Sequence, residues 1–145
     1  MNPTPGLVLP SYFRYYASPV KIVSSPDGGV CVWRVSIDDG GWNREDELFA
    51  EIVFAVGGEI FTRPPEDFVQ EVEAYRGYYL RGDGPIFALY ETVRAVEDVA
   101  AAERRALTAE ERALVQGIRR RTFVMFEEQL QREGDPGADP TIAAP

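Results

Sequence analysis

The apolar period of this chain changes once, at Pro64-Pro65, and that switch excludes most architectures. Before it, apolar residues alternate as they do along strands. After it, they recur every three or four residues, as along helices. Strands first and helices after specify an α+β domain, because a parallel α/β sheet needs the two to alternate. The expected fold is an N-terminal antiparallel sheet of three to five strands packed against two or three C-terminal helices. The 145 residues suffice for one core and divide into an irregular lead (1–10), a single α+β domain (11–133) and a disordered tail (134–145). The tail is rich in glycine, proline and alanine, which is the basis of that last expectation.

Within the strand half, Pro26-Asp27-Gly28-Gly29 is the firmest turn signal. Val20–Ser24 precedes it, and the alternating run Val30–Ile37 follows, with Cys31, Trp33, Val35 and Ile37 on one face. Tyr12–Ala17 reads as a further strand. Residues 45–56 fit two periods: Leu48, Ile52 and Val56 lie four apart, yet Ile52-Val53-Phe54 is β-prone. The latter predicts a strand turning at Gly57-Gly58 into Glu59–Thr62. The alternative is a helix capped by Asn43.

In the helical half, Pro64 and Pro65 suit a first turn, with Glu66 and Asp67 at the positive end of the dipole. Phe68, Val72, Tyr75 and Tyr79 mark the apolar face of this first helix. A second follows from Pro85, with Ile86, Leu89, Val93, Val96 and Ala100 as its stripe. Thr108-Ala109-Glu110-Glu111 has the spacing of a capping box. It opens a third helix to about Arg132, packed through Leu114, Ile118, Phe123, Phe126 and Leu130.

Composition narrows the chemistry. There is no histidine, and Cys31 is the only cysteine, so no internal disulfide and no Cys–His pair can form. Cys31, on a face with Trp33 and Val35, reads as a buried structural thiol. Lys21 is the only lysine among fifteen basic side chains. No phosphate-loop, dinucleotide or nucleophile-elbow motif is present. Carboxylates cluster at Asp38-Asp39 and at Glu66, Asp67 and Glu71, but neither group has calcium-loop spacing. A turn and a solvated helix start explain them, and no metal or cofactor is expected. Arg119-Arg120-Arg121 fans around its helix and can pair with Glu127 and Glu128.

The net charge is -9, which disfavours direct nucleic-acid binding and suits a basic protein partner. No apolar run is long enough to span a bilayer, and Met1–Pro10 does not read as a signal peptide, so a cytoplasmic location is expected. Two clusters mix tyrosine with arginine, the residues most favoured at binding hot spots. Tyr12, Arg14 and Tyr16 form one; Tyr75, Arg76, Tyr78 and Arg81 form the other. These seven are the candidate interface, and no catalytic residue is assigned. The sequence therefore points to a non-enzymatic protein-binding domain of the inhibitor, immunity or adaptor type. The alternatives are a homo-oligomeric or small-ligand-binding module, and a histidine-independent enzyme built on Asp38, Asp39, Glu66, Glu71 and Tyr78.

Overall fold

The computed structural model describes residues 8–54 and 58–144. Five strands form one antiparallel sheet: β1 (Ser11–Tyr15), β2 (Ser18–Ser24), β3 (Val30–Val35), β4 (Trp42–Arg44) and β5 (Ile60–Arg63). Their spatial order is β4-β3-β2-β1-β5. Between β4 and β5 lie a 3₁₀ turn (Asp46–Leu48) and a short helix α1 (Phe49–Val53). Three longer helices follow: α2 (Pro65–Tyr79), α3 (Pro85–Ala102) and α4 (Ala109–Arg132). The fold is α+β with sheet first and helices after, as the period switch requires. Residues 1–7 of the expected irregular lead lie outside the described residues.

The register places Tyr12, Lys21 and Trp33 opposite one another across three neighbouring strands. With Cys31, Val35 and Trp42, the tyrosine and tryptophan build the core that the helices cover through Phe68, Val72, Phe123 and Phe126. Phe13, Val20, Ile22 and Val32 point to the opposite face, since successive strand residues alternate. That face needs its own cover, and residues 46–53 supply it with Leu48 and Ile52.

This demand corrects the strand expected over 45–56. Leu48, Phe49, Ile52 and Val53 all pack on that face, a spacing that a helix satisfies and a strand does not, so tertiary packing overrides the β-prone letters. Asp46 fixes the departure from the sheet: its Oδ1 accepts the Val32 amide at 2.9 Å, while the Glu45 amide donates to Val32 O at 2.9 Å. The expected Val56 and Gly57 positions lie outside the described residues. The β5 strand over Ile60–Arg63 matches the expected second arm.

Two helix faces also differ from expectation. Helix α2 buries Phe68, Val69, Val72, Glu73 and Arg76, so its core face is rotated away from Tyr79 and leaves Tyr75 half-buried at its edge. Helix α4 buries Val115, Thr122, Phe123, Phe126, Glu127 and Leu130, and Leu114 is exposed. In both cases charged side chains occupy the core face, and an apolar pattern alone cannot locate it. The capping box is present: Thr108 Oγ1 accepts the Glu111 amide at 3.1 Å, and Glu111 Oε1 accepts the Thr108 amide at 2.9 Å.

The segment after α4, expected to be disordered, is packed. Asp135 accepts the amides of Trp42 and Gly137, and Ile142, in a final 3₁₀ turn (Pro140–Ala143), is buried against the helical core. Gly137 explains why small residues belong here. A Cβ on it would lie 2.5 Å from Trp42 Cβ and 2.9 Å from Trp33 Cδ2, so only hydrogen fits against the two indoles. The same composition that suggests a floppy tail is what allows this close approach.

Candidate functional site

The seven candidate interface residues divide among three places. Tyr12 is in the core, its ring 4.8 Å from that of Phe68. Burial and nearby Asp139 raise its pKa. Arg76 is wholly buried. These two are structural, which removes them from any surface. Arg14 and Tyr16 lie at the β5 side of the sheet, where Arg14 sits over the Phe61 ring (5.2 Å) and 3.8 Å from Glu71. Tyr16 occupies the turn between β1 and β2 with φ 53°, a left-handed backbone that is uncommon for a bulky residue. Tyr75, Tyr78 and Arg81 gather at the C-terminal end of α2.

That end carries the most exposed aromatic surface of α2. Tyr78 is 72% exposed and Tyr79 44%. Their rings meet edge-on at 4.8 Å, and Tyr79 is also 4.8 Å from Tyr75, which packs against the core. The tyrosines thus brace one another instead of waving in solvent. Arg81 folds back beside them, its Nη1 donating to Tyr78 O at 3.0 Å and to Leu80 O at 2.7 Å.

Next to this patch, α2, α3 and α4 leave a groove of about 350 Å³. Its apolar walls come from Ala74, Tyr90 and Val93, and Tyr78 and Arg81 stand at its edge. Arg94 from α3 donates through Nη1 to Gly77 O at 2.6 Å. Arg119 from α4 lies 3.6 Å from Glu97, so the arginine triplet contributes a groove residue as well as solvated charge.

Beneath the groove lies an ionic cluster that the sequence gives no means of finding. Arg76 Nη1 donates to Glu73 at 2.9 Å, Nη2 to Glu127 at 2.6 Å, and Nε to Gly40 O at 2.9 Å. Glu73 accepts the Tyr90 hydroxyl at 2.8 Å on its other oxygen. Glu127 accepts the Trp42 indole N–H at 3.0 Å and the Asp139 amide at 2.9 Å. Lys21 lies over the Trp42 ring at 4.2 Å and donates to Gly137 O. Two cations and two carboxylates are thereby buried together. The pairing of Glu127 with the surface arginines, expected from spacing, does not occur; it turns inward to Arg76.

Burial dominates the protonation of this cluster. It raises Glu73, against the pull of Arg76, and raises Tyr90, reinforced by Glu73. For Arg76, burial opposes the charge, but Glu73 and Glu127 outweigh it and raise the pKa. Lys21 is lowered to about 8 by burial, with Glu127 and Asp139 holding it up. Both Glu73 oxygens are engaged, so this carboxylate orders the core and offers no oxygen to a substrate.

The carboxylates proposed for chemistry have local roles. Asp39 Oδ1 accepts the Gly41 amide at 2.9 Å, and Ser36 Oγ accepts the Asp38 amide at 3.1 Å, so both acids belong to the turn between β3 and β4. Glu71 pairs with Arg63 at 2.8 Å. Among the described residues, no three cysteine, aspartate or glutamate side chains converge as a metal-binding group. None of the described helices is long and apolar enough to cross a membrane. No protein-family model matches the chain, and neither a curated protein nor a solved structure is detectably similar to it.

Proposed function

We propose that this chain is a non-enzymatic protein-binding domain, of the inhibitor, immunity or adaptor kind, whose partner carries basic charge. The observation that carries the reading is the braced tyrosine patch at the end of α2, with Tyr78 72% exposed beside Arg81. Tyrosine supplies large contact area at little entropic cost, and here ring–ring contacts have already removed part of that cost. Arg81 can fork onto a partner's carboxylate or carbonyl. The net charge of -9 supports a basic partner, because the field accelerates encounter and suppresses like-charged competitors.

The test is affinity capture from the native source at low salt, read by mass spectrometry, with Tyr78→Ala and Tyr16→Ala variants in parallel. One basic protein should be retained by the parent and by Tyr16→Ala, lost with Tyr78→Ala, and released from the parent by a high-salt wash. Equal capture by all three proteins would sink the assignment to the α2 patch. An empty capture from the parent would sink the partner reading itself.

A further inference from the structure

We infer that the groove between α2, α3 and α4 binds a small organic anion, an oxyanion head carried on an apolar body. Its volume of about 350 Å³ lies at the small end of the range for small-molecule sites. Each side of the groove supplies an arginine: Arg81 just beyond α2, Arg94 from α3 and Arg119 from α4. The acids there do not balance them. Glu73 is already neutralised by Arg76, which leaves Glu97 alone, 3.6 Å from Arg119. The groove is therefore a positive site on a chain of net charge -9.

The arginines are held ready for an anion. Arg94 and Arg81 both direct Nη1 to the same carbonyl, Gly77 O, at 2.6 and 3.3 Å. A single cation suffices to complement the C-terminal end of a helix. Two guanidinium groups on one carbonyl repel each other, and an oxyanion lying against both relieves that repulsion. Among the described residues, neither side chain uses its Nε or Nη2 as a donor. That is the guanidinium edge that meets a carboxylate with two parallel hydrogen bonds. The apolar body has its place against Val93, Ala74 and the Tyr90 ring. The Tyr90 hydroxyl is turned away to Glu73, so this wall presents carbon to the ligand.

The experiment uses the purified full chain and three probes: benzoate, its uncharged isostere benzamide, and inorganic phosphate. Isothermal titration calorimetry measures binding, and amide NMR shifts locate it. Benzoate should bind at a single site and shift the amides of Gly77, Tyr78 and Val93. Benzamide should bind at least tenfold more weakly for want of charge, and phosphate more weakly than benzoate for want of an apolar body. Arg94→Gln should lose at least tenfold in benzoate affinity. Arg81→Gln, at an exposed position, should weaken it in the same direction and guards against a folding defect in the first variant. Absence of benzoate binding at millimolar concentration, equal binding of benzamide, equal or tighter binding of phosphate, or shifts that map away from the groove would each overturn the inference. No protein partner enters this test, so its result stands apart from that of the capture experiment.

Discussion

Arg76 shows how a charged residue can be compulsory without being functional. It is held by Glu73, Glu127 and Gly40 O while its guanidinium lies 4.1 Å from the Phe126 ring centre. Removing one member of such a buried cluster strands the others, which costs about 3–5 kcal/mol. Arg76→Leu should therefore lower unfolding free energy by about that much at pH 7 in urea titration, whereas Tyr78→Ala should stay within about 0.5 kcal/mol. The Arg76→Leu deficit should shrink as pH falls, because Glu73, raised by burial but held down by Arg76 in the parent, rises further without it and takes up a proton in the folded variant first. Lys21 makes the opposite case. Its pKa falls from 10.5 to about 8 on folding, so between those values the unfolded chain holds a proton that the folded one has lost. Stability contributed by this residue must rise with pH across that window, by about 3 kcal/mol at about 1.4 kcal/mol per unit. The check is the difference in unfolding free energy between the parent and Lys21→Met from pH 7 to 10.5. That difference should move in the parent's favour above pH 8; a flat difference would mean that Lys21 is not desolvated as its surroundings imply. Tyrosine ionisation is common to both proteins and cancels.

Elements were legible in the sequence where a local signal decides them. The Pro26–Gly29 turn joins β2 to β3, and Thr108 caps α4 through Glu111. Thr108→Ala should lower stability by about 1 kcal/mol. Glu111 is held down at about 2, chiefly by Arg105 and then by the Thr108 amide. Its depressed pKa means that its contribution is complete above the ordinary carboxylate value and is lost as pH falls toward 2. Protection factors of the Thr108 and Glu111 amides, corrected for the intrinsic pH dependence of exchange, should therefore fall on acidification in the parent, and less so in Glu111→Gln; an equal fall in both would remove this role. What stayed illegible is non-local. Nothing in Glu45–Val53 announces that the back of the sheet needs a cover, so its β-prone residues point the wrong way. No apolar periodicity can mark Glu73, Arg76 or Glu127 as core positions, because they are charged and the groups that complete their burial, Gly40 O, Tyr90 and Trp42, lie on other elements. The candidate site was half legible for the same reason. Tyr78 and Arg81 are where a tyrosine–arginine cluster places them, but Arg94 and Arg119 join them only through the packing of α3 and α4 against α2.

At the scale of the molecule, the fold is closed by its C-terminal segment. Lys21 and Gly137 are 116 residues apart, and Trp42 and Asp135 are 93 apart, yet each pair is joined by a hydrogen bond. The segment lies over Trp33 and Trp42, caps Glu127 with the Asp139 amide and seats Ile142 against α2 and α4. It thus bridges sheet and helices at the point where all the buried charges meet. Deleting residues 134–145 would uncover both indoles, take the acceptor from Lys21 and leave Glu127 one donor short. A buried isoleucine alone is worth about 2–5 kcal/mol, and whole domains are stable by only about 5–15 kcal/mol. The truncated chain should therefore lose its single cooperative thermal transition at neutral pH and show red-shifted tryptophan emission. Gly137→Ala, which asks only for room beside the two indoles, should retain the transition but lower stability by about 1–3 kcal/mol as overpacking does. Unchanged emission and an unchanged midpoint in the truncation would show that sheet and helices hold together without this strap. In that case the buried charges would have to be satisfied by the elements before Gly134 alone.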